Sequence, residues 1–146
     1  VAELRTQKTA YLMDDAEDRV KRYPNDLQFK YELGVLYYEA GRHLEAIQQF
    51  QKSKSNPQRR LRSLYYMALC FKAKGQHDLA IEQLEGANSE LSLMDDTKMD
   101  IIYELGSICE AIGQADRAAD YYKQIYAVDI SYRDVAQKIE KSYKKD

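Results

Sequence analysis

The sequence predicts an all-α fold, a solenoid of paired helices, and three observations predict it. A helical pattern broken at a glycine and then resumed runs from Tyr31 to Phe50, YELGVLYYEAGRHLEAIQQF. The same shape returns from Tyr65 to Leu84 and from Tyr103 to Tyr122. The copies start 34 and then 38 residues apart, and helix, glycine turn and second helix at such a period is the mark of stacked helical repeats.

The 146 residues suit one domain, long enough to bury about two-thirds of its unfolded surface, chiefly repeat against repeat. Net charge is -2 with 32% charged residues, so no overall imbalance draws the chain to nucleic acid or to a membrane. No apolar run approaches the ~18 residues of a spanning helix, and no signal-peptide pattern is present. The chain starts at Val1 and not at Met, from which a longer parent protein is expected. Cys70 and Cys109 fall on apolar helical positions and are expected as buried free thiols, with a reducing, cytoplasmic compartment.

Residues 3–22 form one long helical pattern with Leu4, Ala10, Leu12, Met13, Ala16 and Val20 near one face. Pro24 ends it, and Asn25 or Asp26 can cap the next helix. With no partner helix before it, residues 1–26 are expected to be an N-terminal helix or half-repeat. Repeat one spans 27–60. Leu33, Leu36, Tyr37 and Ala40 lie on its first helix, Gly41 at the turn, Ala46, Ile47, Phe50 and Ser53 on its second, and Asn56-Pro57 closes it. Repeat two spans 61–98, with Leu64, Met67, Ala68 and Phe71, then Gly75, then Ala80, Ile81, Leu84 and Ala87. Its four extra residues, around Ser92–Thr97, are expected in the loop or the adjoining helix. Repeat three spans 99–131, with Ile102, Leu105, Gly106 and Cys109, then Gly113, then Ala118, Tyr122 and Ile125. A capping helix over about Tyr132–Tyr143, with Val135, Ile139 and Tyr143 on one side and ending in Lys144-Lys145, completes the domain 1–146.

These residues resemble tetratricopeptide repeats, whose pattern is W-x2-L-G-x2-Y, then A-x3-F, then proline. Leu33-Gly34, Tyr37, Ala46 and Phe50 satisfy it in repeat one, with Pro57 one residue early; Leu105-Gly106, Ala118 and Tyr122 satisfy it in repeat three. Gly34, Ala68 and Gly106 let paired helices approach, as do Ala46, Ala80 and Ala118 on the returning helices. The tryptophan position holds Lys30, Leu64 and Ile102, and repeats two and three lack the proline. The resemblance covers residues 27–132. It implies a right-handed α-α superhelix of antiparallel helix pairs, with first helices lining a concave groove that binds peptides or proteins, and no catalysis.

Tyr31, Tyr65 and Tyr103 take the same place in each repeat, one residue past a core position, and are expected to face that groove. Val35, Leu69 and Ser107 come one turn on, then Tyr38, Lys72 and Glu110, completing a stripe per helix. A tyrosine ladder offers flat apolar area with a polar tip at low entropic cost. Some members of the family clamp a peptide carboxylate with lysine, asparagine and arginine. Here those positions hold Tyr31, Val35, Tyr66, Asp100 and Glu104, none of them basic, so that clamp is absent. Glu32, Glu39, Asp100, Glu104 and Glu110 make the groove ends acidic, suited to basic groups on a partner, with Arg62 and Lys72 as basic exceptions.

Other candidates carry less. Lys52, Lys54, Arg59, Arg60 and Arg62 surround the turn between repeats one and two and are expected to be a solvated turn, with a phosphate or an acidic segment as the functional option. Asp14, Asp15, Glu17 and Asp18 form a solvated acidic run. His43 and His77 come just after the turn glycines without a ligand-spaced neighbour and are expected in turn packing, not on a metal. G-x-S-x-G, a phosphate-cradling glycine loop, HExxH and CxxC are all missing, so no enzyme and no cofactor is expected. The sequence therefore points to a protein-protein interaction scaffold, most simply a monomer. The alternative is an assembly element that stacks end to end through the N-terminal half-repeat.

Overall fold

The computed structural model describes residues 2–144, all helices and turns. Val1, Lys145 and Asp146 lie outside the described residues, and with them the expected Lys145 end of the cap. Two compact units are present, residues 1–74 and 75–146.

The first unit holds α1 (Ala2–Arg22), α2 (Leu27–Glu39), α3 (His43–Ser53) and α4 (Arg60–Ala73). Pro24 stops α1, and Asp26 caps α2 by accepting a 2.9 Å hydrogen bond from the Phe29 backbone N–H. Gly41, at φ +77°, turns the chain back into α3. Around Leu33, Tyr37, Ala46, Ile47 and Phe50, all buried, α2 and α3 pack against each other and against α4. Ser53 and Ser63 share a buried 2.7 Å hydrogen bond that pins α3 to α4. Leu4, Ala10 and Leu12 on α1 are exposed, because α1 lies on α2 alone, and of its apolar residues Met13 and Ala16 are buried. Ala40, placed with the packed residues of its helix by spacing, lies at the C-cap and is exposed.

The second unit holds α5 (His77–Ser89), α6 (Asp96–Ala111), α7 (Ala115–Tyr126) and α8 (Val135–Tyr143). Its core joins Met99, Ile102, Cys109, Ala118, Tyr122, Ile125, Val135 and Ile139. The extra residues before repeat three divide between a loop and an earlier start of α6. Asp95 caps that start, accepting 2.9 Å from the Lys98 N–H. The last helix begins at Val135 rather than Tyr132, because the chain first turns through Arg133 at φ +43°. Tyr143 is 74% exposed and does not join Val135 and Ile139.

Candidate functional site

The first-helix stripes show where tyrosine serves the core and where it faces out. Tyr65 is 8% exposed, its ring edge-on to Tyr66 at 5.6 Å and under the Arg62 guanidinium at 5.3 Å. The expected ladder is therefore interrupted at its middle rung, because Tyr65 has turned into the helix packing. Tyr31, Val35, Tyr38, Leu69, Lys72 and Arg62 are half-buried on α2 and α4. Tyr66, which its place in the clamp pattern does not mark as a binding group, joins this face. Its ring stacks on buried Phe50 at 5.4 Å and meets Tyr31 at 6.2 Å and Tyr38 at 5.5 Å. The pairing was legible in the doublet Tyr65-Tyr66, since adjacent helical positions point about 100° apart and only one can enter the core.

In both units an arginine from the segment that follows the second helix of the repeat, just before α4 or α8, lies on the leading tyrosine. In the first, Arg59 sits 5.0 Å above the Tyr31 ring and its Nε donates 2.8 Å to Gln28 Oε1. In the second, Arg133 sits 4.6 Å above Tyr103 and 5.2 Å from Tyr132. Arg133 also reaches Asp100 Oδ1 at 3.3 Å and Glu104 Oε1 at 3.6 Å. Tyr132 donates to Asp100, and Tyr103 donates 2.7 Å to Asp134 Oδ1. Burial, then that bond to a carboxylate, pushes the Tyr103 phenol up to about 12. Tyr31 is also raised, by burial first and Tyr66 second, with Arg59 and Arg62 pulling the other way.

These contacts correct the expected acidic end of the groove. Asp100 and Glu104 are held by Arg133, and Glu110 by Lys138 Nζ at 2.9 Å and by the Tyr122 hydroxyl. Glu104 is only 8% exposed. The chain supplies its own cations where a partner's were expected. Burial alone raises the Glu110 carboxyl, but the hydrogen bonds from Tyr122 and Lys138 and the Lys138 and Lys141 charges outweigh it, leaving Glu110 below its ordinary range. Ser107, half-buried on α6, completes the expected stripe.

Elsewhere, His43 lies against the Tyr38 ring at 6.1 Å, and the Nδ1 of His77 is buried without a hydrogen-bond partner among the described residues. Among the described residues no group of three or more His, Cys, Asp or Glu converges as a metal site, and no helix is long and apolar enough to cross a membrane. Cys70 and Cys109 are buried free thiols, as expected.

Three tetratricopeptide repeat family models match, over residues 14–60, 62–88 and 100–129, together more than half of the chain. The chain belongs to the tetratricopeptide repeat family. No curated protein matches the sequence. Among solved structures the fold is similar to that of MamA, at 20% identity and TM-score 0.79, over 97% of this chain and 81% of that one. It is also similar to kinesin light chain TPR-like repeats of Podosopora anserina, at 19% identity and TM-score 0.77, over 95% and 79%. At these identities the likeness is one of fold. A tetratricopeptide repeat chain of this kind is a general protein-interaction scaffold, from a family that is typically non-catalytic.

Proposed function

We propose that this chain binds a peptide or partner protein on the first-helix faces of its repeats, and that in residues 1–74 the contact is the aromatic face of α2 and α4. One observation carries the reading. Tyr31, Tyr38 and Tyr66 are half-buried and brace one another over the fully buried Phe50 ring. Rings already locked by their neighbours lose little rotamer freedom on binding, so contact area converts more fully into affinity. Val35 and Leu69, half-buried on the same two helices, extend the apolar share.

A photo-crosslinking side chain placed at Tyr38, compared with one at exposed Gln48 on α3, tests this reading in cell lysate. Partner adducts should form from Tyr38 and not from Gln48. Adducts from Gln48 alone, or equally from both, would move the contact off this face.

End-to-end self-association is a second reading, favoured by Leu4 and Tyr11 on α1, each 70% exposed and two turns apart on one helical face. Light scattering that gives a monomer over a wide concentration range removes it.

A further inference from the structure

Subtracting 72 from Tyr103, Asp100 and Glu104 gives Tyr31, Gln28 and Glu32. The two arginine clasps are therefore built on equivalent first-helix positions, although the arginines themselves come from different places in the following segment, since subtracting 72 from Arg133 gives Leu61 and not Arg59. In the second unit the guanidinium on the tyrosine is closed by two carboxylates, Asp100 and Glu104. In the first unit the place of Asp100 is taken by the amide of Gln28, which accepts from Arg59 Nε. Gln28 Nε2 in turn donates 3.1 Å to Glu32 Oε1, so the amide bridges the cation and that acid. Among the described residues Arg59 meets only neutral groups, Gln28 and the Tyr31 ring.

We infer that Arg59 is the anchor for a carboxylate of the partner, so that the segment received by the Tyr31, Tyr38 and Tyr66 face is acidic. The inference rests on that face being the contact proposed above. A guanidinium offers a planar fork that a carboxylate fills with two parallel hydrogen bonds. Held half out of water on an aromatic face, it gains more from such a pair than a fully solvated cation would.

Charge around the site points the same way. Between Glu45 and Asp78 the chain has seven lysines and arginines and no acid. Residues 1–74 carry 14 basic and nine acidic side chains, and residues 75–146 eight and 15. The net of -2 hides this division. An acidic segment would thus be drawn to the first unit before it docks.

The test uses the intact chain and fluorescence anisotropy with a labelled polyglutamate peptide carrying one central tyrosine, its polyglutamine counterpart, and a labelled single-stranded RNA. The acidic peptide should bind in a salt-sensitive way and the glutamine peptide should not. Arg59→Gln should weaken binding about tenfold. Gln28→Asp, which copies the closed clasp of the second unit, should weaken it as much while melting at or above the parent temperature. That combination separates a blocked anchor from a damaged fold, and Gln28→Asp carries the test alone if Arg59→Gln unfolds. No binding of polyglutamate, undiminished binding by a folded Gln28→Asp, or tighter binding of RNA would overturn the inference. A partner that crosslinks at Tyr38 yet ignores Gln28→Asp would leave the contact face standing and remove its acidic anchor.

Discussion

A Cβ added to Gly34 would stand 2.7 Å from Cε1 of Phe50 and 2.9 Å from its Cζ, so the ring occupies the space a side chain would need. The same relation joins Gly106 to Tyr122. Repeat two instead has Ala68 and Leu84 at these positions, a larger residue against a smaller one.

Alanine gains about 1 kcal/mol over glycine inside a helix, but overpacking a buried ring costs about 1–3 kcal/mol. Phe50 is fully buried and stacked on Tyr66, so it has no room to yield and the steric cost should win. Gly34→Ala is expected to lower the melting temperature. Gly86, whose added Cβ would meet nothing within 4 Å, is the control, and Gly86→Ala should raise it. Phe50→Leu should recover about 1 kcal/mol of the Gly34→Ala loss as a coupling term in a double-mutant cycle. Strictly additive losses would show that the two groups do not compete for the same space.

Glu110 supplies a pH dependence whose sign can be worked out. Its folded-state value lies below its ordinary 4.5, so its contribution to stability is fully present above that pH and fades as pH falls through the folded value. Glu110→Gln should therefore separate most from the parent at neutral pH and converge with it in acid. Melting curves between neutral pH and about pH 3 check this, and a gap that is constant across the range would refute the linkage.

The fold was legible wherever periodicity met a turn residue. Leu33, Phe50, Leu105 and Ile125 are buried where helical spacing places them, and the turns fall at Gly41, Gly75 and Gly113 with φ of +77°, +75° and +81°. The apolar pattern of α1 shows which residues share a face, not how many neighbours exist to cover them, and Leu4 and Leu12 stay exposed. The candidate site was less legible. That Asp100 and Glu104 belong to Arg133 depends on a left-handed turn at a non-glycine residue, which propensity disfavours by about 1–2 kcal/mol and no local motif announces. The charge division between residues 1–74 and 75–146 was visible in the sequence, yet the net value concealed it.

Cys70 and Cys109 should resist thiol reagents until the chain unfolds. Both are fully buried, and burial pushes the Cys70 thiol up to about 12 from 9.0, leaving about a thousandfold less thiolate at any pH below 9. Cys109 is raised by burial too, with Arg117 pulling it down. Labelling with a chromogenic disulfide should be slow in buffer and fast in denaturant, with two thiols counted at the end. Rapid native labelling of either would place it at the surface.

The tyrosines of the stripe should divide into two classes, and the division tests the assignment of core against contact face. Tyr65 is 8% exposed, wedged beside Tyr66 and under Arg62. Truncating a buried aromatic removes its transfer energy and leaves a cavity, so Tyr65→Ala should cost about 3 kcal/mol or more. Tyr38 is half-buried against Tyr66 and His43, and Tyr38→Ala should cost only about 1 kcal/mol of stability. Binding should obey the opposite order once the melting effect is allowed for. Loss of a ring in a contact face typically costs about 2 kcal/mol of affinity, so Tyr38→Ala, folded at the assay temperature, should bind a captured partner many times more weakly. Tyr65→Phe keeps the buried ring and should leave affinity close to the parent's. If instead Tyr38→Ala binds like the parent while Tyr65→Phe, still folded, loses the partner, the contact face lies elsewhere than on the rings of Tyr31, Tyr38 and Tyr66.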